Sequence, residues 1–262
     1  MQRLGVCVII IILIANKNQP KMQSSSNDDV IDYSLFVRED LTPIPSYKTA
    51  STISHHFTNL LTTPIQLHED LKSGCGGQLW PAGMVLAKHM LRYHKNSLTE
   101  ARILELGAGV GLVGLSVAMG CQINKPIYIT DQENMMDLMR KNIKINGLES
   151  MAQELVLEWG NPLPDEVLKR QPNLILAADC VYFEPSFPLL LTTLKDLSNL
   201  SSDTIIYFCF KKRRKADIRF LKAARKIFIV EEPEDEDRVQ FSRQGLYLFT
   251  FKLKHWNILT RG

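Results

Sequence analysis

Ile103-Leu104-Glu105-Leu106-Gly107-Ala108-Gly109-Val110-Gly111 decides the fold of this chain. Ile103, Leu104 and Leu106 read as a buried strand, the glycines as a tight turn, and Leu112-Val113-Gly114-Leu115 as the start of a helix. At Gly107, Ala108 and Gly109 a nearly bare backbone lets a ligand lie against the turn, with the free N–H groups of the helix N-terminus beside it. The spacing is G-x-G-x-G. A dinucleotide-binding fingerprint needs its third glycine at position 112, which is Leu112.

Outward from this turn, strand and helix patterns alternate. Strands are expected over 102–106, 127–130, 154–158, 174–178, 204–210, 227–230 and 246–252, with helices over 84–91, 112–119, 133–145, 187–197 and 216–226. Such alternation predicts an α/β, Rossmann-like fold: a seven-stranded, mostly parallel sheet with helices on both faces. The last two strands are separated by an acidic stretch without helical periodicity, which predicts an antiparallel hairpin at one edge.

In open sheets of this kind ligands bind at the carboxyl ends of the strands. Asp131 ends the second strand, 24 residues after Gly107. A carboxylate there accepts both ribose hydroxyls, although the same residue is also a ready N-cap for the next helix. Together with Glu105, two residues before the first glycine, it fits S-adenosylmethionine as the cofactor. The third strand runs into Glu158-Trp159-Gly160, placing Trp159 where it can wall an adenine or fill the core. The fourth ends in Ala177-Ala178-Asp179-Cys180-Val181-Tyr182. Small Ala178 leaves room for the cofactor, Asp179 can hold an incoming amine, and Tyr182 can wall its channel; taken alone, a turn or N-cap Asp and a core Tyr are the better reading of this stretch. Upstream, Trp80 precedes Pro81, a residue suited to the first turn of a helix, so Trp80 can lean over a cofactor or pack under the N-terminal segment.

The 262 residues carry a formal net charge of +3 and 45% hydrophobic residues, enough for one substantial core and no strong global preference for a charged partner. Charge is uneven: residues 211–226 hold nine Lys or Arg, and 231–237 hold six acids. The five cysteines are scattered, without paired Cys/His spacing, so the sequence supports neither a metal site nor a disulfide framework and points to a cytoplasmic setting. Residues 1–21 contain an apolar run over 4–15, too short to span a bilayer. It fits a signal or anchor segment that brings the chain to a membrane, a hydrophobic extension, or a start at Met22. Residues 22–63 read as a loose extension with a short strand over 34–37, the main domain as 64–254, and 255–262 as a tail.

With these pieces in order, the chain resembles the seven-strand S-adenosylmethionine-dependent methyltransferases, and within them the lysine methyltransferase branch called family 16. The resemblance is carried by Leu79-Trp80-Pro81-Ala82-Gly83, by Glu105 through Gly114, by Thr130-Asp131, by Glu158-Trp159-Gly160 and by the D-x-x-Y element Asp179-Cys180-Val181-Tyr182. The segments from Asp179 to Leu191 and from Tyr207 to Asp217 are similar to the fungal elongation-factor methyltransferases of that branch. The resemblance implies cofactor contacts at Trp80, Gly107, Ala108, Gly109, Asp131, Trp159 and Ala178, with Asp179 and Tyr182 at the methyl acceptor. It also implies a protein-lysine substrate, translation elongation factor 1-alpha, and no metal.

Two other readings compete. The cations of 211–226 could follow the phosphates of a nucleic acid. Enzymes that methylate nucleobase amines carry a proline-rich aromatic motif after the fourth strand, where this chain has Asp179-Cys180-Val181-Tyr182. As part of a protein methyltransferase, Lys211, Lys212, Arg213, Arg214 and Lys215 are expected to form a docking patch for an acidic face. A cofactor-binding module without catalysis is the third reading, against which the intact Gly107, Gly109 and Asp131 argue.

Overall fold

The computed structural model describes residues 49–254. The expectations for the apolar run at 4–15, the strand at 34–37 and the tail at 255–262 lie outside them.

Seven strands form one sheet: β3 (Ile103–Leu106), β4 (Ile127–Asp131), β5 (Ala152–Val156), β6 (Leu174–Ala178), β7 (Ile205–Lys211), β8 (Phe228–Glu231) and β9 (Leu246–Leu253). Their spatial order is β5-β4-β3-β6-β7-β9-β8. The five strands from β5 to β7 are parallel, and β9 is antiparallel to both β7 and β8. The expected mostly parallel sheet with an antiparallel edge is therefore present. Strand order reverses between β3 and β6, which opens the crevice at their carboxyl ends.

The sequence explains the layers. All four side chains of β3 are buried, as a parallel strand covered on both faces requires. Helix α1 (Pro81–Tyr93) packs on α2 (Leu112–Gly120), whose residues from Leu112 through Ala118 are all buried; α2 is apolar all round because it lies inside. Helices α3 (Met136–Ile145) and α6 (Lys215–Ile227) are amphipathic instead. In α6, Ala216, Phe220, Leu221 and Ala224 are turned inward, against α5 (Phe187–Ser198) and β8.

Four expectations need correction. Ordered structure begins before residue 64: β1 (Ser51–His55) pairs antiparallel with β2 (Ile65–Glu69). Two asparagines one helical turn apart, Asn142 of α3 and its C-cap Asn146, bind this small sheet. Asn142 Oδ1 accepts from the His68 amide at 2.7 Å and Asn146 Oδ1 from that of Gln66 at 2.9 Å, and each side-chain amide donates back to the same residue's carbonyl. The β8–β9 connection contains a short helix, α7 (Arg238–Arg243), anchored by buried Phe241; six residues with one buried side chain give no periodic signal. Helix α4 (Asp165–Arg170), buried through Val167, escapes the pattern for the same reason. Strand β5 lies two residues earlier than expected, and α1 begins at Pro81 rather than residue 84, with Trp80 as its N-cap.

Candidate functional site

The tips of β3, β4 and β6 bring the sequence-predicted residues to one edge of the sheet. After Leu106 the chain enters the left-handed region at Gly107 (φ 64°) and again at Gly109 (φ 57°) and Gly111 (φ 82°). A side chain at 107 would meet Trp159 Cζ2 and Cys180 Sγ, each 3.0 Å from a Cβ, and one at 109 would come within 2.7 Å of the Gly76 carbonyl oxygen. The turn is thus a cradle that a Cβ would fill, walled by Trp159 on one side and the backbone of Gly76 on another.

The Ala108 amide donates to the Thr130 carbonyl at 3.0 Å, tying the turn to β4. Asp131 Oδ2 accepts the Gly109 amide at 2.8 Å, and its Oδ1 accepts that of Gln132 at 2.7 Å. Burial raises the Asp131 pKa, against the opposing pull of these two amides. A carboxylate offers about four lone-pair directions. The carboxylate therefore keeps acceptor capacity for ribose hydroxyls while it holds the turn.

Glu105 has a different task. Its carboxyl is buried, with Oε2 accepting the Gly114 amide at 2.7 Å, so it caps the entry of α2 from beneath. Burial raises its pKa to about 8, the amides of Gly114 and Val113 opposing the shift.

Ala178 ends β6, half-buried and paired with Cys209 of β7. Asp179 follows with φ 58°, a left-handed conformation that Asp tolerates better than most residues. Its amide donates to the Cys209 carbonyl at 2.7 Å, and its carboxylate is grasped from two sides by Arg213, Nη1 to Oδ1 at 2.8 Å and Nη2 to Oδ2 at 2.7 Å. Cys180 Sγ lies 3.4 Å from the Leu106 carbonyl oxygen, fixing this turn to β3. Tyr182 is 38% exposed at the rim, and its carbonyl accepts from Arg214.

Trp80 stands over the crevice from the other side. Its indole N–H donates to the Cys75 carbonyl at 3.0 Å, and the Arg213 guanidinium carbon lies 5.3 Å from its ring centroid. The segment before it is pinned by buried Glu69, whose Oε1 accepts the Leu79 amide at 2.6 Å.

Trp80, Gly107, Ala108, Gly109, Asp131, Trp159, Ala178, Asp179 and Tyr182 thus share the carboxyl-end edge. Sequence reasoning missed Glu69, Gly76 and Arg213. It placed Arg213 and Arg214 in an outward docking patch, which the structure corrects. Arg213 is folded onto Asp179 and Trp80, and Arg214 caps α6 with Asp217 and reaches Tyr182. Lys212 and Lys215 are exposed. Among the described residues, no group of three or more His, Cys, Asp or Glu is arranged to hold a metal, and no helix is long and apolar enough to cross a membrane.

A profile of the family described as lysine methyltransferase matches residues 60–227. The chain is 34% identical over 199 residues to the protein-lysine N-methyltransferase EFM6 of Saccharomyces cerevisiae, covering 68% of this chain and 81% of that one. It is 36% identical over 193 residues to the protein N-lysine methyltransferase METTL21A of Danio rerio, covering 72% and 85%. A solved structure of P. horikoshii TYW2 in complex with MeSAdo superposes with a TM-score of 0.48 at 13% identity, covering 78% of this chain and 71% of that one. The match over residues 60–227, which contains the glycine turn, Asp131 and the D-x-x-Y turn, together with the EFM6 and METTL21A relatives, shows that the chain belongs to the S-adenosylmethionine-dependent lysine methyltransferase family.

Proposed function

We propose that this protein transfers a methyl group from S-adenosylmethionine to a lysine side chain of translation elongation factor 1-alpha, in the cytoplasm. The observation that carries methyl transfer to an amine is that the Asp179-Cys180-Val181-Tyr182 turn lies against the glycine cradle through Cys180. The likeness of the segments from Asp179 to Leu191 and from Tyr207 to Asp217 to the fungal elongation-factor enzymes supports the choice of partner. The thiols of Cys121, Cys180 and Cys209, not joined in disulfides, support a reducing compartment.

When bound, the cofactor supplies a methyl group activated by its sulfonium charge. Asp131 and the bare backbone at Gly107 and Gly109 would hold its nucleoside part, and Trp80, Trp159 and Ala178 would shape the walls. The remaining task is alignment, because displacement at a methyl carbon needs nucleophile and leaving group in line. An ordinary lysine, with a pKa of about 10.4, is protonated at neutral pH and must reach the methyl group as a free amine. Asp179 attracts the ammonium to the mouth, and the Tyr182 ring covers its methylenes. Loss of water around the amine and the nearby sulfonium charge both favour the neutral form.

The test is incubation of the purified protein with labelled cofactor, first in a lysate and then with purified elongation factor 1-alpha. Label that resists nuclease, disappears with protease and maps to a lysine of that factor is the expected result. Label on another protein removes the partner, and label released by nuclease removes the lysine assignment.

A further inference from the structure

Arg213 reaches two parts of the site at once. Its two terminal nitrogens make parallel hydrogen bonds to Asp179, a geometry that needs a guanidinium. The same group lies at cation–π distance from the Trp80 ring. Trp80 belongs to the N-cap of α1 and Asp179 to the tip of β6, while Arg213 itself follows β7. The arginine is fixed at both ends: its amide donates to buried Asp217 at 2.7 Å, and Nη1 also donates to the Lys211 carbonyl at 3.3 Å. Its side chain is 19% exposed, unlike that of a cation waiting in solvent for a partner.

The Asp179 carboxylate receives both guanidinium bonds and, at 3.2 Å, the Lys211 amide. Three of roughly four acceptor directions are thereby used. An approaching amine is left with a narrow choice of direction, and Arg213 determines it. The guanidinium carbon lies 5.3 Å from the Trp80 ring centroid, so the same group also holds the Trp80 ring. We propose that Arg213 is a positioning residue for methyl transfer: its guanidinium locks Trp80 and Asp179 into one unit, so a single side chain aligns the cofactor wall with the methyl acceptor. This inference rests on the methyl-transfer function given above.

Lysine cannot replace Arg213 in this role, because an ammonium keeps the charge but loses both the fork and the flat stacking face. A role limited to charge or stability would therefore leave Arg213→Lys active. With the full chain, Arg213→Lys is expected to lower kcat by about 10- to 100-fold, the scale of a small misalignment, with the KM for the protein acceptor little changed. Cofactor binding measured by calorimetry should weaken several-fold through Trp80. In Arg213→Ala, which leaves a gap of the right shape, methylguanidinium in the assay should restore part of the turnover, and it should restore none in Arg213→Lys. Combined with Asp179→Asn, either variant should lower kcat at saturating cofactor little beyond Asp179→Asn alone, since Arg213 acts on the acceptor through that carboxylate.

A folded Arg213→Lys with kcat within about twofold of the parent overturns the proposal, as do losses that multiply with those of Asp179→Asn. A salt-dependent rise in KM at unchanged kcat returns Arg213 to a docking role. If Arg213→Ala does not fold, Arg213→Lys and its combination with Asp179→Asn decide the question. If the parent protein labels a nucleic acid, the lysine reading falls, while the cofactor affinities still report on Arg213.

Discussion

Asp131 Oδ2 accepts the Gly109 amide at 2.8 Å, so the carboxylate at the tip of β4 and the glycine turn after β3 are one hydrogen-bonded unit. The residue expected to bind ribose also holds the loop against which the rest of the cofactor lies. Its removal therefore acts twice, through a lost acceptor and through a freed turn.

Asp131→Ala should weaken S-adenosylmethionine binding by about 1.5–3 kcal/mol, the range for hydrogen bonds to a charged group. Asp131→Asn keeps an acceptor for Gly109 without the charge and should fall between. Calorimetry on variants with native circular dichroism checks both. Equal affinity in the parent and in Asp131→Ala would take this residue out of the cofactor site.

Gly109 and Gly147 separate backbone strain from steric closure. Both have positive φ, 57° and 65°, yet a Cβ at 147 meets nothing within 4 Å while one at 109 approaches the Gly76 carbonyl to 2.7 Å. Gly147→Ala should cost only the left-handed penalty of about 1–2 kcal/mol, with cofactor affinity unchanged. Gly109→Ala should add about 1–3 kcal/mol for overpacking and also weaken the cofactor by displacing the Gly76 segment. Urea denaturation and calorimetry on both variants give the comparison; equal losses would mean that the Gly76 contact relaxes freely.

The contrast between these residues bears on what the sequence discloses. β3 and β6 are legible because burial on both faces leaves continuous apolar runs, and Asp131 because its carboxylate follows such a run at the edge where ligands bind. Glu69 is legible in principle, since it takes the phase of buried Ile65 and Leu67 in β2, where an acid needs a partner. Arg213 is not. It is one of five consecutive cations, and no local feature separates the one that folds inward. Its direction is set by the Asp179 turn, whose amide bonds to Cys209 and so brings the carboxylate beside Lys211 and Arg213. β1 is hidden for a related reason: Ser51, Thr52, Ser54 and His55 acquire strand geometry from pairing with β2, itself held by Asn142 of α3 and its C-cap Asn146.

The acidic stretch between β8 and β9 also finds its partners inside the fold. Asp235 Oδ2 lies 2.8 Å from Nδ1 of buried His89, and Lys88 and Arg92 of α1 hold Asp237, each at 2.8 Å. Burial lowers the His89 pKa, with Asp235 opposing, and burial reinforced by His89 takes His94 down to about 4. Unfolded histidines titrate near 6.5, so below that pH the unfolded chain binds more protons and stability falls with it. The His94 share should disappear between about pH 6.5 and about 4. Denaturation midpoints across this interval should decline less steeply in His94→Gln; an unchanged slope would assign the acid sensitivity to other groups.

Glu105 titrates in the opposite sense. Its folded pKa of about 8 lies above the ordinary value of 4.5, so its carboxyl is largely protonated in the native protein at pH 7. A raised acid pKa gives a contribution to stability that is complete below 4.5 and lost as pH rises through 8, because the folded state binds the additional proton. Glu105→Gln keeps an acceptor for the Gly114 amide and has no proton to lose. At pH 5 the variant should match the parent to within about 1 kcal/mol, the ordinary scale of a conservative change. From there to pH 8 it should gain on the parent, and above pH 8 the difference should level off. Urea titrations at three pH values measure this trend. A variant that is less stable throughout, with a gap independent of pH, would show that Glu105 is ionised in the folded protein and that its charge holds the entry of α2.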